Sequence, residues 1–127
     1  RGNDVVMTPM PLCYLNFYQT ESREGEGLQI GGHIPFEKIY AWDVFEGMSD
    51  AARPHIIGVQ LNMWSEYLKS MDMVEVMLLP RLGAMCEVQW SHDRRDDSKI
   101  RGKMELMRKF YEANGWLCAP YYFDFRK

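Results

Sequence analysis

The sequence predicts an α/β fold in which two parallel strands carry helices on their outer face. Two short β-prone runs, at residues 4–18 and 56–66, are separated by a connection far longer than a hairpin turn. Two helical patterns follow them, one almost wholly apolar and one amphipathic, and parallel strands need helices to cover them. Within the second run, GVQLNMWSEY at 58–67, Gln60, Asn62, Trp64 and Glu66 alternate with Val59, Leu61 and Met63. Successive strand side chains point to opposite faces, so the odd face packs against helices and the even face meets something polar.

The first run, DVVMTPMPLCYLNFY, starts at the β-branched pair Val5 and Val6, which predicts a buried strand. Pro9 and Pro11 end or kink it, since proline cannot donate to a ladder. Tyr14 and Asn16 then share a face if the backbone stays extended. Residues 20–35 carry glycines at 25, 27, 31 and 32 among charges, which is loop chemistry. FEKIYAWDVF at 36–45 supplies a short helix or turn, with Ile39, Tyr40 and Trp42 packed.

After the second strand, Asp72 and Glu75 form a D-x-x-E signal for a helix starting near Met73. That segment, MVEVMLLPRLGAMCEVQW, is apolar nearly all round and predicts a buried helix, kinked by Pro80 near Val76 or Met77. A last helix spans about Ser98 to Asn114, with Ile100, Met104, Met107 and Tyr111 on one stripe and Gly115 as its cap. Lys99, Arg101, Lys103, Arg108 and Lys109 read as its solvated face. The 127 residues form a single region, without internal repeat or low-complexity stretch.

Composition narrows the function. A formal net charge of -3 argues against a surface that tracks phosphates, so no nucleic acid partner is expected. No apolar stretch approaches the roughly 20 residues of a membrane span, and no leader with a small-residue cleavage site precedes the first strand. A chain starting at Arg1 rather than Met reads as a processed or excised piece of something longer. Cys13, Cys86 and Cys118 lack any C-x-x-C pairing and read as small buried hydrophobes. His33, His55 and His92 form no H-x-x-x-H pair, so no metal is expected, and no cofactor either.

An aromatic and a carboxylate two apart at the carboxyl end of a strand suit a sugar. The indole face stacks on the CH-rich face of a pyranose, and the carboxylate accepts from hydroxyls. Trp64 is read either as such a platform or as core, and Glu66 either as a sugar ligand or as an exposed strand-end charge.

Three segments in this order, VVMTPMPLCYLNFYQ, HIIGVQLNMWSEY and VEVMLLPRLGAMCEVQW, resemble the C-terminal part of the catalytic domain of β-N-acetylhexosaminidases, the family 20 glycoside hydrolases. The pattern G-V-Q-x-N-x-W-x-E followed by P-R-L-x-A-x-x-E-V-x-W carries the resemblance, which runs over roughly residues 4–118. The family fold is a (β/α)8 barrel of about 250 residues with its site at the carboxyl ends of the strands, so this chain holds about half. The resemblance places residues 4–18 at the seventh strand and 56–66 at the eighth.

The resemblance implies an exo-acting glycosidase working by substrate assistance, in which the 2-acetamido oxygen of the sugar attacks the anomeric carbon. An adjacent Asp-Glu pair on the fourth strand orients that group and protonates the leaving oxygen. No Asp-Glu dipeptide occurs in this sequence, so the chain alone is expected to be inactive. By resemblance, Tyr14 donates to the acetamido oxygen, Trp64 forms part of the aromatic wall, and Glu66 binds the O4 or O6 hydroxyl. Asn16 stands where many members carry an Asp that contacts the same hydroxyls. Arg81 and Glu87 match the pattern as a buried structural pair. The implied partners are N-acetylhexosamine glycans and the rest of the catalytic domain, with self-association of the isolated chain through its unpaired edges. The parent would be exported, as glycan-degrading relatives usually are. The alternative is a self-standing carbohydrate-binding or interaction module without catalysis.

Overall fold

The computed structural model describes residues 2–123. Strand β1 is Val5–Met7 and strand β2 is Ile56–Val59, and they pair in parallel, as the long connection predicts. Val5 lies opposite Ile56 but Val6 lies opposite Gly58, so Ile57 bulges out of the ladder. The first strand is not buried: Val5 and Val6 are 43% and 47% exposed. Two strands alone leave their outer edges and one face without neighbours, and β-branched residues cannot bury themselves without them.

Pro9 and Pro11 end the strand as expected, and the chain makes a helical turn, α1, Met10–Cys13. Pro9 caps it at φ -65, and proline suits the first turn because its missing N–H would have no intrahelical partner anyway. The second strand is shorter than the 56–66 run, because α1 takes β1 out of the ladder. Pairing resumes beyond α1: Gln60 N donates to Met7 O at 2.9 Å, Asn62 N to Cys13 O at 2.6 Å, and Leu15 N to Asn62 O at 2.8 Å. Tyr14 and Asn62 thereby form an isolated parallel bridge. Val59, Leu61 and Met63 face the core, as their alternation predicts.

Between the strands run the glycine-rich loop and α2, Phe36–Tyr40. Phe36, Ile39 and Tyr40 are buried and Trp42 is half-buried, in keeping with packing roles. The apolar segment after β2 forms two helices, α3 at Met71–Leu78 and α4 at Arg81–Trp90, instead of one kinked helix. The break lies at Leu79, extended at φ -100 and ψ 134, because a residue before proline is driven out of the helical region. Ser70, not Asp72, caps α3: its side chain accepts from Met73 N at 3.3 Å. Glu75 reaches away from the cap to take Leu117 N at 2.8 Å. Nor is the segment buried all round, since Leu82 and Trp90 stand exposed.

Helix α5, Ile100–Ala113, buries Met104 and Tyr111 and half-buries Ile100 and Met107, the predicted stripe. Gly115 ends it at φ +69, where Trp116 N donates to Tyr111 O at 2.9 Å. The core joins Leu15, Phe36, Ile39, Met85, Val88 and Met104, so α2, α4 and α5 cover one side of the strand pair. Helix α5 meets α4 at Gly83, where a Cβ would overlap Met107 Sδ. Of the cysteines, Cys13 is buried, Cys118 half-buried and Cys86 exposed, so only the first fully fits the hydrophobe reading. Burial pushes the Cys13 thiol up to about 11, which leaves it protonated and unreactive.

Candidate sugar-binding site

Parallel pairing brings the carboxyl ends of β1 and β2 to one end of the pair, and the polar side chains gather there. Asn62 Nδ2 donates to Thr8 Oγ1, just past the end of β1. Gln60 Nε2 donates to Asn62 Oδ1 at 3.1 Å. Thr8 is a member of this set that the sequence pattern alone does not single out. Its partner lies 54 residues away, and only the register of the strands joins them.

Tyr14 is half-buried directly beside Asn62 through the backbone bridge, its ring tilted against Phe17 at 6.1 Å. Trp64 follows two residues after Asn62 and is 53% exposed in this chain. Glu66 is exposed and forms no ion pair among the described residues. The four predicted residues therefore lie on two neighbouring segments past the strand ends. No hydrogen bond or ring contact links their side chains directly among the described residues.

Asn16 differs from the other three. It is only 4% exposed, and its Oδ1 has no hydrogen-bond partner among the described residues. Most buried acceptors in native proteins are paired, so this oxygen asks for a donor from elsewhere.

The segment carrying Tyr14 and Asn16 is held from below. Arg81, the first residue of α4, is fully buried and donates to the backbone carbonyls of Leu15, Phe17, Ile34 and Met77. It does not pair with Glu87, which contacts Lys103 instead. The expected Arg81–Glu87 pair is absent because Glu87, further along α4, faces α5, whereas Arg81 points into the core. Burial pushes the guanidinium down to about 10, so it stays charged at neutral pH.

The long loop folds onto the same base. Glu26, also buried, accepts from Gln19 N at 2.6 Å, Thr20 N at 2.8 Å and Thr20 Oγ1 at 2.6 Å. Tyr122 Oη donates to Gln19 O at 3.2 Å while accepting from Phe36 N at 2.9 Å, which ties the C-terminal turn to the loop. Desolvation holds the Tyr122 hydroxyl well above the ordinary phenol range, so it remains a donor.

No group of three or more His, Cys, Asp or Glu side chains able to hold a metal occurs among the described residues. No described helix is long and apolar enough to cross a membrane.

Residues 1–93 match the family model described as glycosyl hydrolase family 20, catalytic domain. The chain belongs to this family. It is 30% identical over 122 residues to a β-N-acetylhexosaminidase of Cellulomonas fimi, a match covering 94% of this chain and 24% of that protein. It is 36% identical over 93 residues to a β-hexosaminidase of Porphyromonas gingivalis, covering 71% of this chain and 12% of the relative. The exo-β-N-acetylglucosaminidase of Vibrio harveyi, solved in complex with N-acetylglucosamine, superposes with a TM-score of 0.78 at 25% identity over 91% of this chain and 18% of that one. This family 20 chain is thus an α/β portion of the catalytic domain, spanning a quarter or less of the length of these relatives.

Proposed function

We propose that this chain supplies the last two strands of the catalytic barrel of an exo-acting β-N-acetylhexosaminidase, with residues 4–18 at the seventh strand and 56–66 at the eighth. The observation that carries the reading is the grouping of Tyr14, Asn62, Trp64 and Glu66 past the carboxyl ends of a parallel strand pair, where barrel enzymes place their sites. In this family the ligand of the Vibrio relative, N-acetylglucosamine, is the natural guide to what such a group binds.

Each residue then has a chemical task. Tyr14 donates its hydroxyl to the acetamido oxygen and holds it in line with the anomeric carbon. Trp64 offers its exposed indole to the apolar face of the sugar, and Glu66 accepts from the O4 or O6 hydroxyl. Asn16, by its place in the family pattern, contacts the same hydroxyls through its amide. The Asp-Glu pair that orients the acetamido group and protonates the leaving oxygen belongs to another part of the parent, because this chain has no such dipeptide.

The test is hydrolysis of an aryl N-acetyl-β-glucosaminide by the full-length protein that contains this chain, beside the 127-residue chain alone. The first should turn over with retention of configuration and the second should not, since general acid catalysis by itself contributes about 100-fold to 10,000-fold. A full-length protein that binds N-acetylglucosamine but leaves the glycoside intact would establish the binding-module reading instead.

A further inference from the structure

Among the described residues no carboxylate hydrogen-bonds the buried cation at the root of α4, although the buried Glu26 favours its charge from a distance. Arg81 is 0% exposed, and every hydrogen bond it makes among the described residues goes to a backbone carbonyl. Burying an unpaired guanidinium is costly, and an apolar residue of similar volume would fill the same space without that cost. What an apolar residue could not do is fix the positions of four carbonyl oxygens. These come from three separate places: Met77 in the last turn of α3, Ile34 at the end of the long loop, and Leu15 and Phe17 on either side of Asn16.

The last two decide the argument. Tyr14 immediately precedes Leu15, and Asn16 lies between the two held carbonyls. The distances to Phe17 O and Ile34 O are both 3.0 Å, each reached by Nη1, while Nη2 takes Leu15 O and Met77 O. A planar fork with fixed donor directions can set such a spacing, and a lysine ammonium cannot.

We propose that Arg81 is a positioning residue for the sugar site, acting through the Leu15 and Phe17 carbonyls to hold Tyr14 and Asn16 in working geometry. This rests on the role given to Tyr14 above. The turn is also braced from the opposite side: the Phe17 ring lies against Gly32, where a Cβ would come within 2.5 Å of Cδ2 and 2.9 Å of Cε2.

The test is a double-mutant cycle in the full-length protein, comparing Arg81→Lys, Tyr14→Phe and the double variant well below each unfolding midpoint. Misplacement of a reacting group can cost about 100-fold, so Arg81→Lys should lower kcat by about that factor while KM and product binding move only a few-fold. The two losses should not multiply, because residues that act as a unit are non-additive. A folded Arg81→Lys enzyme with kcat within about twofold of wild type, or losses that multiply in the double variant, would overturn the proposal. Tyr14→Phe without effect would sink the role of Tyr14 and this inference with it. A normal Arg81→Lys beside an impaired Tyr14→Phe would sink this inference alone. Should Arg81→Lys not fold, Gly32→Ala displaces Phe17 without touching the guanidinium; a kcat-selective loss supports the proposal, and unchanged kcat in the folded variant overturns it.

Discussion

Tyr14 and Asn16 sit on a turn whose carbonyls are gripped by a buried arginine, with a buried carboxylate fastening the loop behind it, whereas the side chains of Trp64 and Glu66 stand exposed and make no hydrogen bond, ion pair or ring contact among the described residues. On the proposed function, the two sides of the site do different work. A group that must align a reacting atom gains from a rigid mount, since a small displacement there is expensive in rate. A stacking platform and a hydroxyl acceptor, the tasks proposed for Trp64 and Glu66, tolerate movement because their share would be recognition.

The largest expected effect breaks the mounted side at its tip. Tyr14→Phe in the full-length protein should lower kcat by about 100-fold, because alignment is lost. The acetamido oxygen loses electron density as it attacks, so the hydroxyl earns its place by orientation and not by stabilising a growing charge. Binding of N-acetylglucosamine should change less, and binding of a thiazoline mimic of the cyclised intermediate least, because its ring already fixes the geometry. Unchanged turnover would make Tyr14 a packing residue.

The second breaks the mount itself. Glu26→Gln removes a charged acceptor from two backbone donors and one hydroxyl, and should cost about 2 kcal/mol of stability, read as a lower urea midpoint. The same change at exposed Glu66 should move stability by no more than about 0.5 kcal/mol. Equal effects at the two glutamates would erase the distinction between the sides. Glu66→Gln should instead appear in kcat/KM, down about tenfold, as a charged hydrogen bond to a sugar hydroxyl weakens. Normal kinetics there would return Glu66 to a surface charge.

A smaller effect concerns the open edges. The 127-residue chain, with Val5, Val6 and Ile57 exposed along two unpaired strand edges, should self-associate. Light scattering that reports a folded monomer at high concentration would show that the edges are blocked by some other means.

Much of this fold was legible because it rests on local periodicity. The alternation from Val59 to Met63, the stripe from Ile100 to Tyr111 and the cap at Gly115 each declare themselves within a few residues. What could not be read depends on distant partners. The D-x-x-E signal at Asp72 lost to Ser70 because both satisfy the same local rule, and Glu75 was drawn away by Leu117, 42 residues on. Arg81 looked like half of an ion pair because charges usually pair with charges. Four carbonyls from scattered segments leave no mark in sequence spacing. For the site, the strand alternation pointed to Trp64 and Glu66, but Tyr14 and Asn16 came from family resemblance, since the turn after α1 has no period to read.

The contact at Gly83 has a chemical consequence of its own. Met107 Sδ occupies the hollow that any side chain at that glycine would fill, and Met107 is only half-buried. Peroxide reaching this thioether would convert it to a sulfoxide, larger, polar and chiral, at the contact between α4 and α5. The added oxygen would put a polar group where apolar side chains join α5 to α4, so an oxidant should loosen α5 before it harms the strand pair. A reductase that restores the thioether would let the helix settle back.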